Sequence, residues 1–87
     1  MSTEDLIRQR LSALEPESYT LEDESAQHRG HAGAASGGGH FRLTIVSPKF
    51  RNLSTLARHR VVYETMGELM QREIHALSIT ALTPEEL

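Results

Sequence analysis

Fifteen consecutive residues, Ser25 to Gly39, hold five glycines: Gly30, Gly33, Gly37, Gly38 and Gly39. Ordering that many glycines into a helix or strand costs about 0.5–1 kcal/mol per residue relative to alanine, so the segment is expected to be a loop. A loop of this length in a small domain is usually functional or disordered. We expect it to be mobile over residues 25–39 in the free protein and to tighten on meeting a partner. The chain has 87 residues, too few for two ordinary domains, and residues 1–87 are expected to form one.

The remaining segments read as regular elements. Ser2 and Thr3 ahead of Glu4 and Asp5 resemble a helix cap with acids in the first turn. Leu6, Ile7, Leu11 and Leu14 recur at helical spacing and Pro16 stops the run, which predicts a helix over 3–14. Tyr19 and Leu21 alternate with polar neighbours, predicting a strand over 18–23. Phe41, Leu43 and Ile45 alternate with Arg42 and Thr44, predicting a second strand over 40–47 that ends at Pro48. Ser54 is placed to cap a helical region over 54–71 in which His59, Val62, Tyr63, Met66 and Met70 share a face flanked by Leu56 and Leu69. Gly67 leaves room for a break there. A last strand over 76–82 carries Leu77 and Ile79 inward, and Thr83-Pro84-Glu85-Glu86 opens a helical stub. The order α-β-β-α-α-β is that of a small α+β layer, a three-stranded sheet with helices on one face. Phe41, Phe50, Tyr19 and Tyr63 are the only aromatics, so the core rests on Leu, Ile, Val and Met.

The net charge of −3 conceals three blocks. Residues 1–27 carry −5, residues 28–63 carry +6 with no acid at all, and residues 64–87 carry −4. Such a pattern suits a basic face meeting an anionic partner, with Lys49, Arg51, Arg58 and Arg60 as candidate partner- or nucleic-acid-binding residues. It equally suits basic and acidic elements that neutralise each other inside the fold.

Cysteine is absent. Disulfides, thiol nucleophiles and self-supplied thiolate ligands are thereby excluded. No apolar run reaches the ~18–20 residues of a membrane span, and the start lacks a signal-peptide core, so a soluble, cytoplasmic protein with no membrane association is expected. Nothing resembles a nucleophile–base pair, a phosphate loop following a strand, or paired carboxylates, and an enzyme is not expected.

Several stretches, taken in order, resemble the BolA family. They are Asp23-Glu24-Ser25 before a His-bearing loop, His40-Phe41-Arg42 opening a strand that closes with Val46-Ser47, and Phe50. Arg58-His59-Arg60-Val61-Val62-Tyr63, Ile74-His75-Ala76-Leu77 and Thr83-Pro84-Glu85-Glu86 complete the set. Together they cover about two-thirds of the chain. The resemblance implies a type II KH-like fold, in agreement with the element order read from the residues. It also implies a partner of a monothiol glutaredoxin, a monomer when alone, that shares a [2Fe-2S] cluster within a heterodimer for cluster trafficking or iron-responsive regulation. The thiolates would come from the glutaredoxin and a glutathione, with no cofactor in the isolated protein.

The family's carboxy-terminal ligand matches His75. Its loop ligand matches His28 when counted from Asp23-Glu24-Ser25 and His31 when counted back from His40-Phe41, and both stay open. The family's closing Trp is replaced by Leu87. His59, on an apolar helix face, is expected to be a core or interface residue; His40 is expected to point outward with no ligand role.

Two rival functions follow. Family members are linked to transcriptional control and the stress response, and a KH-like fold suits a DNA-binding regulator. However, the only GxxG, Gly30-His31-Ala32-Gly33, lies between strands rather than between helices. A zinc site from His28, His31 and either His40 or His75 is the other rival, but a glycine-rich loop organises such ligands poorly.

Overall fold

The computed structural model describes residues 1–25 and 39–87. Helix α1 (Thr3–Leu11) starts in a reciprocal capping box: the Asp5 N–H donates to Ser2 Oγ at 3.1 Å, and the Ser2 N–H donates to Asp5 Oδ2 at 3.3 Å. This satisfies two of the donors that a helix start leaves without intrahelical partners. The predicted helix over 3–14 closes as a 3₁₀ turn over Ser12–Leu14, and the following Glu15 takes a left-handed conformation (φ 45°) that redirects the chain.

Strand β1 (Ser18–Asp23) pairs antiparallel with β2 (Gly39–Val46), and β2 pairs in parallel with β3 (Ile74–Leu82), giving the sheet order β1-β2-β3. A parallel pair needs a crossover connection. Here it is α2 (Thr55–Met66), capped by Ser54 Oγ, which accepts from the Ala57 N–H at 3.1 Å. Gly67 ends α2 at φ 57°, a conformation favouring glycine, and a 3₁₀ turn over Gly67–Gln71 follows. The predicted helical region over 54–71 is therefore divided at Gly67.

The core joins Ile7, Leu11 and Leu14 to Phe41, Leu43 and Ile45 of β2, Val62 and Met66 of α2, and Leu69, Ile74 and Leu77. Phe50, in a short 3₁₀ turn over Pro48–Phe50, is also fully buried there. Two residues on or beside the predicted apolar face of α2 are not buried. Tyr63 is 41% exposed and Leu56 is 61% exposed. Tyr63 instead lays its ring beside the outer margin of β3, with its hydroxyl donating to the Leu77 carbonyl at 3.4 Å.

Ser47 ties three segments together. Its buried hydroxyl donates to the Leu14 carbonyl at 2.6 Å and accepts from the Lys49 N–H at 3.1 Å, while its own N–H donates to the Leu82 carbonyl at 2.9 Å. Because Leu82 turns its carbonyl toward the β2 side, the alternating strand geometry turns those of Leu77 and Ala81 to the free edge. Arg58 covers the second of these, donating from Nη1 to the Ala81 carbonyl at 3.0 Å. Side chains of α2 thus engage two carbonyls of an edge strand, a position that folded proteins commonly shield.

Candidate functional site

The predicted ligand His75 sits on an irregularity of the sheet. Gly39 pairs with Ile74, but the next residue, His40, pairs with Ala76. His75 is thus an extra residue on β3, a bulge. Without it, strict alternation from the buried Ile74 would put Ala76 inward and Leu77 outward. With it, both His75 and Ala76 are exposed, and Leu77 returns to the core. The sequence-based strand over 76–82 begins where regular alternation begins; the real strand starts two residues earlier, because the bulge breaks the period of two.

The adjoining strand end is tightly defined. The Gly39 N–H donates to the Glu73 carbonyl at 3.0 Å, and a Cβ at Gly39 would lie 2.5 Å from Cε2 of the buried Phe41 ring. The His40 N–H donates to Ser25 Oγ at 3.0 Å, and the His40 carbonyl accepts from the Glu24 N–H at 2.7 Å. Ser25 is itself held by its N–H to Asp23 Oδ1 at 2.9 Å. Hydrogen bonds from the Ser25 hydroxyl and backbone lower the Asp23 pKa below the usual carboxylate value. Both backbone groups of His40 are therefore fixed at the point where the glycine-rich segment rejoins the sheet.

His40 lies on the face of β2 opposite the buried Phe41, as expected, but it is not open to solvent there. It is half-buried, its Nε2 is enclosed, and its ring lies 4.9 Å from that of His75 with the planes tilted by 39°. The extra residue on β3 brings the two imidazoles together. Nothing in the sequence pattern announces a parallel bulge, so this contact was not legible there. Glu73, immediately before β3, places Oε2 in a buried position with no hydrogen-bond partner among the described residues.

Sequence reading names two further ligand candidates, His28 and His31. They lie outside the described residues, as do Arg29, the Gly30-His31-Ala32-Gly33 tetrapeptide and most of the segment expected to be mobile. Among the described residues no three His, Cys, Asp or Glu side chains form a group able to hold a metal ion. The exposed imidazole of His75 fits the role of a single donor to a centre whose other ligands come from elsewhere. His59 is half-buried on α2.

The basic block is largely matched by the acidic ends of the chain. Arg42 pairs with Glu24 at 3.3 Å and Lys49 with Glu15 at 3.2 Å. Arg51 grips Glu85 through two nitrogens, Nε at 2.8 Å and Nη2 at 2.5 Å. Arg58, only 13% exposed, holds Glu86 through Nη1 at 2.6 Å and Nη2 at 3.2 Å, and its Nε donates to the Leu53 carbonyl at 3.0 Å. These contacts lower the Glu85 pKa, chiefly through Arg51, and bring that of Glu86 to about 2, chiefly through Arg58. Arg60 is exposed and makes no ion pair among the described residues. Mutual neutralisation within the fold thus accounts for four of the six cations of the middle block.

No helix among the described residues is long and apolar enough to cross a membrane. Comparison with known proteins gives a consistent result. A family model described as BolA-like protein matches residues 11–86. The chain is similar to BolA-like protein 1 of Mus musculus, 43% identical over 81 residues, covering 92% of this chain and 57% of that protein. It is also similar to the DNA-binding transcriptional regulator BolA of Haemophilus influenzae, 34% identical over 87 residues, covering 99% of this chain and 82% of that protein. Among solved structures, BolA1 from Arabidopsis thaliana superposes with a TM-score of 0.84 at 34% identity, covering 100% of this chain and 98% of that one. The curated relatives are longer than this chain, which spans only 24%, 57% and 52% of the lengths of three of them.

Proposed function

The chain belongs to the BolA-like family, and from that premise we propose that it partners a monothiol glutaredoxin and shares a [2Fe-2S] cluster with it, serving cluster trafficking or iron-responsive regulation. The observation that carries the reading is His75: an imidazole on an exposed bulge at the start of β3, in a chain with no cysteine. Iron in such clusters accepts imidazole nitrogen in place of thiolate, and a neutral ligand raises the potential. The chain supplies nitrogen from His75 and from His28 or His31; the glutaredoxin cysteine and a glutathione supply sulfur. The docking surface includes the 48–60 stretch, where Arg60 is available to an anionic group and Lys49, Arg51 and Arg58 are engaged internally.

The protein has no catalytic role in this reading and is monomeric and cytoplasmic until it meets its partner. The test is analytical gel filtration of the protein mixed with a glutaredoxin, with and without cluster, monitored at visible wavelengths. A heterodimer that elutes with the cluster chromophore is expected; separate elution with the chromophore confined to glutaredoxin would overturn the proposal.

A second reading, a DNA-binding regulator, is favoured by the name of the Haemophilus influenzae relative. It has to contend with the internal pairing of Arg42, Lys49, Arg51 and Arg58. Fluorescence anisotropy with duplex DNA at several salt concentrations discriminates the two. DNA binding through several phosphate contacts would show a steep loss of affinity with salt.

A further inference from the structure

The ring of His40, which has no ligand role in the sequence reading, lies against that of His75. A side chain on an exposed bulge has few neighbours to select its rotamer, yet a ligand must hold its nitrogen in one direction. Groups that orient a metal-bound histidine by hydrogen-bonding its second ring nitrogen commonly contribute 10–100-fold in affinity, and a packed ring can do the same orienting.

We propose that His40 is a positioning residue that fixes the orientation of the His75 imidazole for ligation, a role that rests on the reading of His75 as a cluster ligand. Three features qualify His40 for it. Its backbone is pinned on both sides, N–H to Ser25 Oγ at 3.0 Å and carbonyl to the Glu24 N–H at 2.7 Å. Its ring is half-buried, and the tilted contact at 4.9 Å gives the exposed His75 ring a fixed surface on one side. The preceding Gly39 cannot gain a side chain without striking Phe41, which limits what can occupy this corner. The bulge supplies proximity and His40 supplies orientation.

The same backbone bonds link His40 to Glu24 and Ser25, at the start of the glycine-rich segment. Ser25 opens that segment, and His40 follows its last glycine. The contact therefore holds His75 beside the residues that flank the undescribed segment 26–38.

The test begins with the isolated protein, where no cluster is needed. The His75 side-chain rotamer is measured by three-bond couplings and ring nuclear Overhauser effects in the wild type, His40→Phe and His40→Leu, with far-UV circular dichroism confirming the fold. A single His75 rotamer is expected in the wild type and in His40→Phe, which keeps a ring, and rotamer averaging in His40→Leu. Cluster-loaded glutaredoxin is then added, and His40→Leu is expected to bind the shared cluster about 10–100-fold more weakly, with His40→Phe restoring most of the loss. A single His75 rotamer in folded His40→Leu overturns the proposal. Averaging in His40→Leu, combined with a cluster spectrum indifferent to His75→Ala, overturns the ligation reading alone and upholds the orienting contact.

Discussion

The Arg58 guanidinium binds the Glu86 carboxylate at 2.6 Å while also donating to the carbonyls of Leu53 and Ala81, both at 3.0 Å. One side chain thereby joins α2, the free edge of β3 and the last turn of the chain. Glu86 reciprocates by accepting from the Thr83 N–H at 2.7 Å, closing a capping box at the carboxy-terminal 3₁₀ turn. Arg58→Ala leaves both carbonyls without this donor and is expected to lower stability by roughly 2–3 kcal/mol. Arg58→Lys should recover only part, because an ammonium cannot reproduce the planar fork. Urea unfolding midpoints read both values, and a midpoint for Arg58→Ala equal to that of the wild type would contradict the assignment.

Acid should weaken this end of the protein in a defined window. Glu86 titrates near 2 in the folded state, against an ordinary value of 4.5. Its pKa is depressed on folding, so the stabilisation is fully present above about 4.5 and is lost as pH falls toward 2. Glu85 and Asp23 are shifted in the same direction. Melting temperatures of the wild type should therefore fall through this window. Glu86→Gln should melt lower at neutral pH and converge on the wild type as pH approaches 2. Added salt should shrink the neutral-pH difference, since the carboxylates are exposed; a difference independent of pH would contradict the linkage.

The buried hydroxyl of Ser47 bridges the α1 exit and the end of β2. Ser47→Ala removes the donor to the Leu14 carbonyl and the acceptor for the Lys49 N–H at a buried position. The expected cost is about 1–3 kcal/mol. Equilibrium unfolding should show it as a shifted midpoint with unchanged slope, and an unshifted midpoint would mean that another group satisfies Leu14.

Gly39→Ala places a methyl 2.5 Å from the Phe41 ring. Phe41 is buried against the core and has little freedom to withdraw. A destabilisation of about 1–3 kcal/mol is expected, together with ring chemical-shift changes at His40 and His75 in the NMR spectrum. Unaltered imidazole shifts would show that the corner adapts independently of its glycine.

The regular elements were legible because their periods were undisturbed. β1 matched its predicted range of 18–23, and Gly67 marked the end of α2 as its composition implied. What escaped detection depends on tertiary structure. The bulge at His75 adds one residue to a period-two pattern, so alternation alone started the strand at 76 rather than Ile74. His40 looked open to solvent because its neighbour, His75, is 35 positions away in sequence. The charge blocks showed that neutralisation was available but not that Arg51 meets Glu85 and Arg58 meets Glu86, which requires the turn after β3 to return to the start of α2. The two loop histidines belong to the part of the chain outside the described residues.

The central claim is that His75 ligates a cluster shared with glutaredoxin. Its most direct test is an anaerobic titration of the protein into glutathione-ligated, cluster-loaded monothiol glutaredoxin, followed by visible circular dichroism, using the wild type, His75→Ala, His28→Ala and His31→Ala. The account predicts a new cluster spectrum with the wild type, its loss with His75→Ala, and its loss with one of the two loop variants. A wild-type titration without spectral change, or a new spectrum that survives His75→Ala intact, would contradict it.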